Sequence, residues 1–131
     1  MDRHEEALLN YLQLAIVSEQ KRQYSGRDKL LLLAGQAACQ AGLLEIADRC
    51  RDLVLNRNPH HLVGKQDHFH EMLTTEEGMS LMRQLERQIP LERVELLVSG
   101  SWDQIAEIPQ APAEEVEGFQ NLVLQYLNKL S

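Results

Sequence analysis

The sequence predicts an all-α protein of antiparallel helical hairpins, stacked in an array or a compact bundle of about six helices. Three observations lead to this prediction. Apolar residues recur at the three-to-four spacing of amphipathic helices along most of the chain. Leucine dominates the 44% hydrophobic content, aromatic residues contribute only 5%, and strand-like alternation is scarce. The connections between periodic segments are short, so consecutive helices should run antiparallel.

The first element is a predicted helix within residues 1–27. Asp2 and Glu5 have the spacing of a capping box at its start. Its apolar stripe runs to about Tyr24, where the next two residues interrupt it. Four cations near this break are expected to form a solvated basic corner: Lys21, Arg22, Arg27 and Lys29.

The second and third helices form a predicted hairpin. Asp28 is expected to cap the second helix, which runs to Ala41 and stops at Gly42. A third helix over residues 44–57 should end before Pro59, because proline cannot continue a helix interior.

Residues 59–107 predict further helices with a weaker pattern. The first part has few apolar positions and is interrupted by Gly64. Thr74 and Glu77 then have the spacing of a capping box, so a new helix should start there and stop before Pro90. Pro90 can open one more short helix.

The last part of the chain combines a linker with a helix. Pro109 and Pro112 predict an extended linker, and residues 113–131 carry the apolar stripe of a final helix that should fold back as a lid. The 131 residues suit a single domain, 1–131.

Residues 28–61 also look like a known repeat. In its first half the segment has a large apolar residue, an apolar residue followed by a small one, and a turn glycine. In its second half it has two positions that are usually small and a terminal proline. These residues are Leu31, Ala34, Gly35, Gly42, Ala47, Val54 and Pro59. In this pattern the segment resembles a tetratricopeptide repeat, with Ala38 and Arg51 in place of the usual aromatic residues.

A degenerate second copy is similar over residues 59–90. Six positions stay in register: Leu62, Phe69, Gly78, Met82, Leu85 and Pro90. Lys65 and Gln66 replace its expected apolar and small pair. Generic helical bundles produce similar hairpins, so repeat kinship and a simple bundle both remain open.

The resemblance implies a binding scaffold, because such repeats stack into curved arrays whose concave face receives peptides or helices. The leading hypothesis is therefore a noncatalytic interaction module that binds a protein or peptide segment, or a second copy of itself. Gln36, Arg49 and Arg51 are the expected groove contacts from their place in the repeat-like segment, and a core or back-face position is equally open for each. Trp102, the single tryptophan, could anchor a partner or plug the end of the core.

Two alternatives accompany this hypothesis. Residues 60–71 contain four histidines, His60, His61, His68 and His70, whose imidazoles can bind transition metals. On a continuous helix His68 and His70 would point about 200° apart, so only a loop could bring all four to one ion. The other alternative is a structural homo-oligomer that associates through the hydrophobic final helix.

Composition argues against several other classes. The net charge of −7 repels nucleic acid, and the chain has neither a membrane-length apolar run nor a signal-peptide pattern. We therefore expect a cytoplasmic protein without nucleic-acid or membrane partners. Cys39 and Cys50 should be small core residues. No local catalytic motif is present, so neither an enzymatic activity nor a cofactor is predicted.

Overall fold

A computed structural model describes residues 2–99 and 116–131, and this part of the chain is all-α, as predicted. It contains seven α-helices, one 3₁₀ turn and no strand. The helices are α1 (Arg3–Gln20), α2 (Tyr24–Gln40), α3 (Leu44–Arg57), α4 (Phe69–Met72), α5 (Glu76–Gln88), α6 (Leu91–Ser99) and α7 (Val116–Leu130), and the 3₁₀ turn is Leu62–Lys65.

Two turns of the same type join the first three helices. After α1, the Gln23 amide donates to the Ser18 carbonyl, and after α2 the Leu43 amide donates to the Ala38 carbonyl, each over 2.8 Å. Both turns place one residue at positive φ, which is Arg22 at 59° in the first turn and Gly42 at 79° in the second. This is the Schellman arrangement. Gly42 therefore stops α2 as predicted.

The α2–α3 hairpin is antiparallel. The guanidinium of Arg57, the last residue of α3, lies 3.7 Å from the ring centre of Tyr24, the first residue of α2. α2 lies at the centre of the molecule, because it also packs against α1, α4 and α5, while α1 packs against α6 and α7.

The boundaries of α1 and α2 differ from the predicted ones. The capping box of Asp2 and Glu5 is present, but α1 ends at Gln20 rather than near Tyr24. α2 begins at Tyr24, so Asp28 lies inside this helix and does not cap it. The reason is the Schellman turn, in which the left-handed Arg22 reverses the chain without a side-chain cap.

The prediction that Arg27 belongs to a solvated basic corner is wrong, because the residue is buried. Only 2% of this residue is exposed. Its guanidinium donates to Asp28, at 2.8 Å, and to the backbone carbonyl of Leu130, at 2.9 Å. Its Nε lies 2.9 Å from Glu19 Oε1, an ion pair at an angle that makes no hydrogen bond. Arg27 thus joins α1, α2 and the carboxyl end of α7.

Residues 58–75 form no continuous helix. The 3₁₀ turn and the single turn of α4 replace it, and three fully buried side chains fix the segment to the core: Val63, Phe69 and Met72. The following helix, α5, is capped by Thr75, whose hydroxyl accepts from the Gly78 amide, and not by Thr74.

The final helix folds back onto α1 and α3. Tyr126 and Gln13 are both buried, and the Gln13 amide nitrogen donates to the Tyr126 hydroxyl at 2.8 Å. The apolar stripe of α7 is buried in the chain's own core: Phe119, Leu122, Val123, Tyr126, Leu127 and Leu130. The homo-oligomer alternative would use this same stripe as its contact surface, which is already packed inside the chain.

Some predictions concern residues outside the described part of the chain. They are the position of Trp102, the linker with Pro109 and Pro112, and the start of the last helix near residue 113. Within residues 2–99 and 116–131, no helix is long and apolar enough to span a membrane.

Candidate functional site

Two adjoining cavities form one groove on the face made by α1, α2, α5 and the start of α6. The larger cavity has a volume of about 470 Å³ and the smaller one about 210 Å³. Gln36 and Glu86 line both cavities, so the two cavities adjoin at these residues. We call this feature the helix groove.

Helical spacing explains why α1 and α2 contribute to the groove. Arg3, Ala7 and Tyr11 are four residues apart on α1, and Leu33, Gln36, Ala37 and Gln40 recur every three or four residues on α2. The small side chains of Ala7 and Ala37 leave the space between the helices open. A cleft therefore forms where larger residues would close the helix pair.

Charged groups surround the larger cavity. Arg3 and His4 line it from α1, and Glu86 and Glu92 line it from α5 and α6. In the described part of the chain, neither Glu86 nor Glu92 lies within 4.0 Å of a cationic group. The pKa of Tyr11, a 7% exposed wall residue, is raised by burial and then by the charges of Glu86 and Glu95. Glu86 therefore acts electrostatically on a buried group in the wall of this cavity.

The smaller cavity is mainly apolar. Its apolar lining consists of Leu73, Met79 and Met82, and the polar side chains that also line it are Gln36, Arg83 and Glu86. Met79 is an apolar residue, but 43% of it is exposed. The helix groove thus has a charged end with two carboxylates, at α1 and α6, and a mainly apolar end at Leu73 and α5.

A separate hollow, which shares no lining residue with the helix groove, lies between the α2–α3 turn and α7. Its volume is about 600 Å³, and Leu44, Ile46 and Leu124 give it an apolar wall. Leu44 and Leu124 are 44% and 41% exposed. We call it the Leu44 hollow.

The expected groove contacts lie on different surfaces. Gln36 lines the helix groove, whereas Arg49 lines the Leu44 hollow and donates to Asn128 Oδ1 at 3.3 Å. Arg51 donates to the carbonyl of Gln66 at 2.9 Å and so supports the 58–75 segment. The three residues therefore do not share one binding surface, and Trp102 lies outside the described residues.

The four histidines do not converge. His60 is exposed, and the His61 ring accepts from the Val63 amide at 3.0 Å as the cap of the 3₁₀ turn. The His68 and His70 rings stack with centres 5.5 Å apart. They stack because His68 precedes α4 instead of lying within it, which removes the divergence expected on a continuous helix. Among the described residues, no three His, Cys, Asp or Glu side chains are grouped to hold a metal ion.

Asp48 links His68 to α3. Its carboxylate binds His68 Nδ1 and accepts from the Phe69 amide, both at 2.9 Å. The hydrogen bond and charge of Asp48 raise the His68 pKa above 6.5. Partial burial opposes a low Asp48 pKa, but the Phe69 and His68 hydrogen bonds bring it below 3.8. The pair is a structural contact that fixes the start of α4.

Both cysteines are free, and Cys50 is a core residue as expected. Burial raises the pKa of Cys39 to about 11 and that of Cys50 to about 12, with smaller charge effects. At neutral pH both are thiols, which are poor nucleophiles.

Sequence reasoning missed most residues of the helix groove, including Tyr11, Glu86 and Glu92. They lie on helices that are distant in sequence, and local periodicity does not show which helices meet. The available signal was a polar or aromatic residue beside an apolar stripe, as Tyr11 is beside the stripe of α1.

Comparison of the chain with protein-family models, with curated proteins and with solved structures finds no match in any of the three.

Proposed function

We propose that the protein is a noncatalytic interaction module that binds a peptide segment of another protein in the helix groove. One observation carries the proposal. Gln36 was expected to contact a partner from its place in the repeat-like hairpin, and it lies at the junction of the two cavities.

The shape of the groove supports a peptide ligand. The larger cavity falls within the range of about 300–1,000 Å³ typical of ligand pockets, and the smaller one can take about one side chain. The Gln36 amide offers both a donor and an acceptor at the junction, which suits the backbone of an extended chain. Two adjoining spaces with a polar amide between them favour a segment that presents two side chains.

The groove favours binding over catalysis. A nucleophile and its base must be joined by a hydrogen bond or come within reach of one. Within the described residues, no hydrogen bond joins two of the titratable groove side chains Arg3, His4, Tyr11, Glu86 and Glu92. The lining therefore supports recognition by shape and charge.

The repeat resemblance is part of this proposal. Two Schellman turns of the same geometry start α2 and α3 at positions 24 and 44, and stacked hairpins of this kind are the unit of helical repeat arrays. We propose a cytoplasmic location, because two unpaired cysteines suit a reducing compartment.

The test is a selection from a random peptide library displayed on phage, followed by affinity measurement with synthetic copies of the enriched peptides. Gln36→Trp should fill the junction of the two cavities and weaken binding by about tenfold or more. Gln84→Trp is the matched control, since Gln84 is exposed on α5 and lines neither cavity of the groove. The proposal fails if no peptide is enriched or if Gln36→Trp binds as tightly as Gln84→Trp.

A further inference from the structure

The two ends of the helix groove differ in chemistry, and this difference defines the kind of segment that fits. The inference rests on the proposed function and concerns the partner of the same site. The observations are the charges of the larger cavity, the apolar lining of the smaller cavity, and the position of Arg83.

The larger cavity is suited to a cation. Glu86 and Glu92 line it together with Arg3 and His4, and in the described chain neither carboxylate has a cation within 4.0 Å. Tyr11 lies in the wall of the same cavity, and its pKa is raised first by burial and then by the charges of Glu86 and Glu95. A lysine or arginine side chain in this cavity would meet carboxylates that are otherwise left to water.

The smaller cavity is suited to an apolar side chain. Met79 is 43% exposed beside the buried Met82, and Leu73 completes the wall. Methionine side chains adapt their shape to different apolar ligands. Glu86 lines both cavities, but Arg83 lines only the smaller one and Glu92 only the larger one, so the groove gives a bound segment a direction.

We propose that the helix groove binds a partner peptide with one lysine or arginine for the Glu86–Glu92 end and one leucine or methionine for the Met79 end. Charge complementarity favours such a partner over a second copy of this chain, whose net charge is −7. A second acidic molecule would add repulsion across the same surface.

Synthetic peptides test the proposal directly. Each peptide of about ten residues has a glycine-serine frame, one lysine and one leucine, and a set of peptides varies the distance between the two. Partner peptides replace lysine by glutamate or leucine by serine. Binding is measured by calorimetry at about 20 mM and about 150 mM salt, because added salt should weaken an ionic contact.

The best lysine peptide should bind about tenfold tighter than its glutamate or serine partner. The double variant Glu86→Gln with Glu92→Gln should remove the preference for lysine. The double variant Glu6→Gln with Glu76→Gln changes the net charge equally at exposed sites outside the groove, and should keep the preference.

Each other outcome has a separate meaning. If peptides bind at Gln36 but prefer glutamate or show no preference, the inference is overturned and the proposed function stands. If neither these peptides nor the phage library gives a ligand that Gln36→Trp weakens, the proposed function itself fails. Light scattering that shows a dimer dispersed by Gln36→Trp would overturn the inference in favour of a second copy.

Discussion

The α2–α3 hairpin and the 58–75 segment follow each other in the chain, yet they are stabilised in different ways. In the hairpin, apolar side chains line both helices along their length, and the helices are packed along a continuous seam. In the segment, three buried anchors carry the packing, and side chains replace the missing helical hydrogen bonds. These side-chain contacts come from Asp48, Arg51, His61 and Glu71.

The difference shows what happens when a repeat-like pattern loses its apolar stripe. Lys65 and Gln66 occupy positions where the first hairpin has Ala34 and Gly35. The segment where a second copy was predicted has no first helix, but its Phe69 ring enters the space that Gly35 leaves on α2. A Cβ atom at Gly35 would lie 2.5 Å from this ring. One small residue in the hairpin thus receives the main anchor of the next segment.

Removing that anchor should have the largest effect. Phe69→Ala deletes a fully buried ring and leaves a cavity beside Gly35, so we expect the free energy of unfolding to fall by about 3–5 kcal/mol. Urea denaturation measures this change. Leu44→Ala, at a 44% exposed site, is the control and should cost less than about 1 kcal/mol. Equal losses in both variants would contradict the anchor role.

Filling the space that Gly35 leaves for the Phe69 ring should have the next largest effect on stability. Gly35→Ala places a Cβ atom against the Phe69 ring and should destabilise the fold by about 1–3 kcal/mol. Gly26→Ala is the matched control, because both glycines lie in α2 and a Cβ at Gly26 has no heavy atom within 4 Å. The control should be neutral or stabilising by up to about 1 kcal/mol. Thermal unfolding of the two variants checks the contrast.

Substitutions in the two Schellman turns should have smaller effects on stability, and the two substitutions should differ in sign. Gly42→Ala forces a side chain onto a φ of 79° and should cost about 1–2 kcal/mol. Arg22→Gly relieves the same strain in the first turn, at a φ of 59°, and should be neutral or gain up to about 1 kcal/mol. Chemical denaturation of both variants measures these changes. A clearly destabilising Arg22→Gly would contradict the equivalence of the two turns.

The smallest effect is the pH dependence of the 58–75 segment. Because the folded pKa of His68 is raised above 6.5, its contribution is complete below that value and is lost as pH rises through the folded pKa. The lowered Asp48 pKa means that the Asp48 contribution is lost only in acid, below 3.8. Amide exchange at Phe69, corrected for its intrinsic rate, should become less protected between about pH 6 and pH 8. His68→Gln should abolish this pH dependence, and an unchanged profile would exclude the pair as its cause.

Local signals in the sequence predicted much of the fold. The Asp2 capping box, the Gly42 stop and the bounds of α3 depend on neighbouring residues, and they were predicted correctly. The failures involve contacts between distant segments. Arg27 was expected in solvent, because its partners Glu19 and Leu130 come together only in the folded chain.

The candidate site shows the same limit. Gln36 was expected to be a groove contact from its place in the repeat-like pattern, but the helices opposite it could not be named. Arg51 was expected at a partner surface, yet its guanidinium supports the broken segment through the Gln66 carbonyl. The periodicity of one helix shows which of its side chains share a face. Tertiary packing decides which other helices that face contacts.

The central claim is that the helix groove, and not the larger Leu44 hollow, receives the peptide. Chemical-shift mapping tests this most directly, with a ¹⁵N-labelled protein titrated with the tightest peptide from the phage selection. The account predicts the largest shifts at Tyr11, Gln36 and Met79, with small shifts at Leu44 and Leu124. Largest shifts at Leu44 and Leu124, with the groove unchanged, would contradict it.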